Sequence, residues 1–252
     1  WTDPLRVASG LNRLRVTQAG DTQVVYDSET FNVVSRSLRT IVLHDNVGPD
    51  ASTTSAFLLT ENGTIEYPNE VARAGFRVLN AVSDEDSITV TIVDSASEES
   101  LDTVTLAYTE ITAFSAIDAA FVDVSVAAAS TPGVEAKRTT VSLNQGTFYT
   151  ITIGGSIADD SLAVRSSTSP QRRIATSANL HFINTLRETD DANNPRIDVY
   201  VLDVGDALED DFPILTQFGF LSSSAVTMPA KLMDVVVTTS GTNAILLGPI
   251  RI

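Results

Sequence analysis

The chain has 252 residues, 43% hydrophobic and 19% charged, with a formal net charge of −16, two histidines and no cysteine. Such a surface repels nucleic-acid phosphates and anionic membranes, and the lack of cysteine excludes disulfides, thiolate metal sites and cysteine nucleophiles. No run of 18 apolar residues occurs, so no membrane insertion is expected.

In chain order, residues 1–47 read as strands. Leu14-Arg15-Val16-Thr17 and Gln23-Val24-Val25-Tyr26 flank the turn Ala19-Gly20-Asp21, a hairpin signature. Phe31-Asn32-Val33-Val34 and Thr40-Ile41-Val42-Leu43-His44 follow. The start at Trp1, without a signal-peptide pattern, reads as a processed or trimmed chain. Residues 48–73 read as a connector, rich in turn residues from Gly48-Pro49-Asp50 to Ser52-Thr53-Thr54-Ser55. Within it Phe57-Leu58-Leu59 is a short apolar patch, an edge strand or a plug. Asn62-Gly63-Thr64 is formally a glycosylation acceptor, at a frequency close to chance.

Residues 74–170 read as a complete β-sandwich of seven or eight short strands with turn signals between them. Its clearest alternating strands are Ile88-Thr89-Val90-Thr91-Ile92 and Phe121-Val122-Asp123-Val124-Ser125-Val126, and it closes with Phe148-Tyr149-Thr150-Ile151-Thr152-Ile153 and Leu162-Ala163-Val164-Arg165. Residues 171–252 open in the same way. Phe76-Arg77-Val78-Leu79-Asn80-Ala81 recurs as Leu180-His181-Phe182-Ile183-Asn184-Thr185, and Ile88-Thr89-Val90-Thr91-Ile92-Val93-Asp94 recurs as Ile197-Asp198-Val199-Tyr200-Val201-Leu202-Asp203. The offsets are 184 − 80 = 104 and 203 − 94 = 109, which is one sandwich-sized repeat whose second copy has a loop five residues longer. Nothing in residues 174–252 matches the two closing strands. Their likeness lies at the other end: Thr30-Phe31-Asn32-Val33-Val34 resembles Thr147-Phe148-Tyr149-Thr150-Ile151 at an offset of 117, with Thr40-Ile41-Val42-Leu43 in the place of Leu162-Ala163-Val164-Arg165.

A sandwich without its last strands exposes a sheet edge and an apolar groove, both templates for pairing. The expected fold class is therefore all-β, with tandem antiparallel immunoglobulin-like sandwiches, the second completed by the N-terminal strands. Three arrangements satisfy this: closure in trans as a head-to-tail filament, closure in cis, or a fragment of a longer protein. The self-association residues this implies are Val24, Val25, Phe31, Val33, Val34, Ile41 and Leu43 on one side and Ile245, Leu246 and Leu247 on the other.

Three short motifs carry a resemblance: Arg77-Val78-Leu79-Asn80-Ala81, Asp198-Val199-Tyr200-Val201 and Gly146-Thr147-Phe148-Tyr149-Thr150-Ile151. They resemble the repeats of an uncharacterised family of bacterial and archaeal cell-surface domains. The resemblance runs across roughly residues 74–252 and is incomplete over residues 1–47. It implies an exported or lipid-anchored protein of tandem immunoglobulin-like sandwiches, without assigned catalytic residues. The chain departs from the family in its first acidic loop, where Ser83-Asp84-Glu85-Asp86-Ser87 replaces a proline-containing sequence.

No residue pattern asks for catalysis. His44 and His181 sit in predicted strands, Gly-x-Ser-x-Gly is absent, and Gly154-Gly155-Ser156 reads as a strand-end turn rather than a phosphate cradle because no helix follows. Of the carboxylate clusters, the loop carrying Asp190, Asp191 and Asn193 is the best calcium candidate, but it lacks the D-x-D-x-D-G signature and reads as a solvated loop. With aromatics at 6% and Trp1 the sole tryptophan, a glycan platform has little support. The expectation is a non-enzymatic extracellular or cell-surface filament or matrix subunit, without cofactor, whose partner is itself. The alternative is a monomeric module binding a surface protein or glycan.

Overall fold

The computed structural model describes residues 5–45, 54–60, 63–67, 69–118, 121–169, 171, 176–187 and 196–252, with the side chains of residues 66 and 210 left aside. The protein is all-β, built from largely antiparallel sheets, with one 3₁₀ turn (Leu208–Asp210) and no α-helix among the described residues. Among the described residues no helix is long and apolar enough to cross a membrane.

Twenty-one strands are described. β1 (Gly10–Asn12), β2 (Arg15–Thr17), β3 (Val24–Asp27), β4 (Phe31–Val33), β5 (Thr40–Asp45), β6 (Thr54–Thr60) and β7 (Gly63–Tyr67) precede the first repeat. That repeat contains β8 (Ala74–Val82), β9 (Ser87–Asp94), β10 (Ser100–Ala107), β11 (Ser115–Ile117), β12 (Phe121–Ala128), β13 (Glu135–Ser142), β14 (Phe148–Gly155) and β15 (Ala163–Thr168). The remainder contains β16 (Ser177–Ile183), β17 (Ile197–Asp203), β18 (Leu215–Phe218), β19 (Ser223–Pro229), β20 (Met233–Thr239) and β21 (Ile245–Arg251).

In the first repeat two four-stranded sheets, β10-β9-β12-β13 and β11-β8-β14-β15, face one another. Period-two alternation puts Ile88, Val90 and Ile92 of β9 and Val122, Val124 and Val126 of β12 into a core shared with Phe76 and Val78 of β8 and Ile151 and Ile153 of β14. All contacts within the sheets are antiparallel except β8–β14, where Arg77 lies beside Thr150 and Val78 beside Ile151 in a parallel ladder. At the end of β14 the chain turns at Gly155, whose φ is +104° and where a Cβ would sit 2.5 Å from the Ser161 carbonyl oxygen, so no side chain fits. The Gly154-Gly155-Ser156 segment is thus a strand-end turn.

In the second repeat the strands β16–β21 follow β8–β13 in order. Its larger sheet is β18-β17-β20-β21, the order of β10-β9-β12-β13, and β19-β16 corresponds to β11-β8. The registers also coincide. Ile88 lies opposite Leu106, and Ile197 opposite Phe218; Val90 lies opposite Val126, and Val199 opposite Val237.

The asparagine in each repeat explains why this position recurs. Both side chains are buried. Asn80 Nδ2 donates to the Leu106 carbonyl (3.1 Å) in the opposite sheet, and its Oδ1 accepts the N–H of Val82 (2.9 Å). Asn184 Nδ2 donates likewise to the Phe218 carbonyl (2.8 Å), and its Oδ1 accepts the N–H of Leu186 (2.9 Å). The main chain repeats too. Asn80 donates to the Glu110 carbonyl and accepts from Thr109; Asn184 donates to the Ser222 carbonyl and accepts from Leu221. Thr109 and Leu221 both take the left-handed conformation, with φ of 66° and 53°. That conformation is costly for a branched side chain and is held here by the hydrogen bond to the asparagine carbonyl. Each asparagine therefore pins one sheet to the other.

Truncating it orphans a buried carbonyl and a buried N–H, which costs about 1–3 kcal/mol. Asn80→Ala and Asn184→Ala are each expected to lower the unfolding free energy by roughly that amount, read as a lower denaturant midpoint. Unchanged midpoints would refute the pinning role.

Candidate assembly surfaces

The two repeats differ in what closes them. In the first, Tyr149, Ile151, Ile153, Leu162 and Val164, from β14 and the segment through β15, supply five of the nineteen buried core residues. Among the described residues β16 has a single paired neighbour, β19, so no counterpart of β14 and β15 lies beside it. The core below is thin: Ile197, Val199, Phe218, Val235 and Val237, with Phe182 only partly buried against them. Five missing apolar side chains, at about 1.5–3 kcal/mol each when fully buried, compare in size with the whole stability of a domain, about 5–15 kcal/mol.

The second repeat leans on the first. The outer face of β14 is covered, with Thr150 and Thr152 0% and 2% exposed, and a Cβ added at Gly154 would come within 3.1 Å of Leu221 Cδ2. A polar chain crosses this contact: Arg77 Nε donates to Thr150 Oγ1 (3.0 Å), which bonds Ser169 Oγ (2.6 Å), which lies 3.3 Å from His181 Nδ1. Arg187 pairs with Asp159 at 2.9 Å, and the neighbouring Asp84 accepts the Ser156 hydroxyl and the N–H groups of Ile157 and Ala158. Burial pushes the Asp84 carboxyl up, but these donors together hold it below the usual range. Burial first, and then the Arg77 charge, push the His181 imidazole down.

The N-terminal strands are held at the entry to β8. Asn69 is buried; its Oδ1 accepts the N–H of Asp27 (3.1 Å) and its Nδ2 donates to the carbonyls of Val25 (3.1 Å) and Thr54 (3.2 Å). Tyr26 is fully buried, with its hydroxyl on the Tyr67 carbonyl at 3.1 Å, and Phe31 stacks on Tyr67 with centroids 5.1 Å apart. Asp27 accepts from Arg15 (2.9 Å) and also pairs with Arg13, which reaches Glu70 as well.

This arrangement departs from the sequence-based expectation in three respects. The stretch read as a connector carries β6 and β7, which form the sheet β5-β6-β7. As a result β5 does not lie beside β4 as β15 lies beside β14; Ile41 and Leu43 pair with Leu58 and Ala56, and β4 pairs instead with β1. Finally, the edge the closing strands were expected to meet, Ile245-Leu246-Leu247, lies on β21, which pairs with β20 as β13 pairs with β12. By the template of the first repeat the vacant position is beside β16. The β2–β3 hairpin, by contrast, is as the sequence implies.

Of the self-association residues, Val24, Val25, Phe31, Val33 and Ile41 are half-buried, whereas Val34, Leu43, Ile245, Leu246 and Leu247 are exposed. No ladder joins β1–β7 to β16–β21, so the structure contains no strand closure within the chain among the described residues. β13 and β21 occupy the same place in their repeats but differ in character. β13 guards its edge with Lys137 and Arg138, whereas β21 exposes Ile245, Leu246 and Leu247 at 50–55%. The calcium candidates Asp190, Asp191 and Asn193 lie outside the described residues, and no group of three or more metal-ligating side chains occurs among those described. His44 Nδ1 contacts the Asp45 carbonyl and the ring packs on Phe57, a structural setting.

No protein-family profile matches the chain, and no curated protein matches it significantly.

A histidine whose folded pKa is depressed contributes stability that is complete above its unfolded value of 6.5 and is lost as pH falls through the lower folded value. The contact between repeats is therefore expected to weaken on acidification from about pH 7.5 to about pH 5.5, seen as a falling melting temperature. His181→Gln should flatten that slope; an unaltered slope would show that another group carries it.

Proposed function

We propose that the protein is a structural subunit of an extracellular or cell-surface filament or matrix, joined head to tail by β-strand complementation between tandem immunoglobulin-like sandwiches. The observation that carries this reading is the pair of unequal repeats. The second matches the first in strand order and register through β21, and among the described residues nothing takes the place of the two strands that complete the first core. Strands resembling them stand at the opposite end of the chain, fastened by Asn69 and Tyr26 beside the complete sandwich. A donor at one end and an acceptor at the other make a heterologous contact, and such contacts propagate as open polymers unless a rotation closes them.

Other features support the reading. The exposed apolar edge of β21 is a surface that a monomer ordinarily guards. The resemblance to cell-surface repeats and the net charge of −16 fit an exported protein.

Purified protein is expected to form concentration-dependent multimers by size exclusion and fibres in negative stain. Deleting residues 1–45 should abolish them while leaving the β8–β15 sandwich folded by circular dichroism. Protein that stays monomeric and fully folded at every concentration would overturn the proposal and favour a monomeric binding module.

A further inference from the structure

Among the described residues there are three two-stranded sheets, of which β1-β4 and β16-β19 can be set against the complete four-stranded sheet β11-β8-β14-β15. In the complete sheet β14 touches β8 by a parallel ladder and β15 by an antiparallel one. β4 is already flanked antiparallel by β1, as β14 is by β15. β16 is flanked antiparallel by β19, as β8 is by β11. The geometry points to a joint in which the β1-β4 sheet of one chain adds to β16 of a second copy, giving β19-β16-β4-β1 as one four-stranded sheet. This rests on the filament reading and specifies its contact. Neither pair has to come apart: β1 takes the place that the sequence comparison gave to β5.

Register follows from burial. In the template Tyr149 lies beside Phe76, Thr150 beside Arg77 and Ile151 beside Val78, with Tyr149 and Ile151 facing the core. The offset of 117 read from the sequence would turn Asn32 and Val34 inward in their place. In β4, however, Phe31 and Val33 form the half-buried face and Asn32 is exposed. A one-residue slip exchanges the two faces of a strand, so the register that buries apolar surface sets Phe31 beside Leu180, Asn32 beside His181 and Val33 beside Phe182. Phe31 stacks on Tyr67 of its own chain, so the joint requires it to turn from that ring onto the core in which Phe182 is only partly buried, with Val33 beside it.

Charge favours the same partner. Residues 5–45 hold five arginines and four carboxylates, 5 − 4 = +1, whereas residues 177–252 hold four basic and ten acidic side chains, 4 − 10 = −6. Each copy carries −16 overall, so this contrast makes the N-terminal strands the part of the chain that the acidic second repeat repels least.

The chain has no cysteine, so any disulfide in a variant joins introduced residues. Asn32→Cys/His181→Cys is expected to give a ladder of reducible multimers under mild oxidation, forming about tenfold faster than from Val33→Cys/His181→Cys because only directly opposed residues meet the Cα separation a disulfide needs. Each single variant should stop at a dimer. A faster ladder from the Val33 pair would overturn the register. A disulfide confined to the monomer would place the closure within one chain and overturn the joint. Multimers by size exclusion without cross-linking in either pair would overturn this surface while leaving the filament reading intact; absence of multimers altogether would remove both. As a check independent of cysteine, Val33→Asp should abolish assembly and Val34→Asp should not, with circular dichroism unchanged; the opposite pattern would refute the proposed face.

Discussion

The parallel contact between β8 and β14 is the constraint on which this architecture depends. It joins residues more than seventy positions apart, Val78 with Ile151 for example, and it brings the side chains that seal the core. A repeat of this design begins with a strand whose main-chain partner arrives only near its end. Until then the first strand has one neighbour and the groove beside it stays apolar. Loop closure over such a span is entropically unfavourable until the core packs, so opening strands without closing ones are poorly stable alone. The second repeat stands in that position. It offsets part of the deficit by lying on the outer face of β14, with Gly154 leaving room for Leu221 and the Arg77–Thr150–Ser169–His181 chain satisfying polar groups caught between, although the buried Thr152 Oγ1 is left without a partner.

The N-terminal strands present the complementary problem. They are too short to bury their own apolar faces, and they are held by a few buried groups, Tyr26, Asp27 and Asn69, rather than by a core. Such an element is fixed in place and yet leaves apolar side chains uncovered, which suits a donor better than a free tail does. An ordered donor loses less conformational entropy on binding than a disordered one, and a short ladder can then hold.

Much of this was legible in the residues. Asparagine and aspartate recur at the ends of matching strands because the first pins the two sheets and the second ends an alternating strand; Asp94, for instance, caps its turn by accepting the N–H groups of Ala96 and Ser97. Alternation of period two marks β9, β12 and β17 directly. β6 was legible only in part, with Phe57-Leu58-Leu59 reading as an edge strand or a plug where the structure makes it the central strand between β5 and β7, and β7 was not legible because the Asn62-Gly63-Thr64 region reads as a turn. β1 was also missed. Three residues, Gly10-Leu11-Asn12, carry too little pattern to be recognised without their neighbour.

Three readings come from the residues without any coordinates: the chain is all-β, the opening strands of residues 74–170 recur within residues 171–252, and the closing strands of residues 74–170 find a likeness at residues 30–43. They rest on side-chain periodicity and internal likeness, which are local or additive properties. Which strands pair became visible only in three dimensions: β5 joins β6 and not β4, β1 flanks β4, β16 and not β21 has the place of a strand open beside it, and Phe31 and Val33 share the apolar face. The physical reason is that a strand's hydrogen-bonding groups are the same whatever its side chains. Partner and register are set by which apolar faces meet across a sheet, and that is a property of the assembled fold.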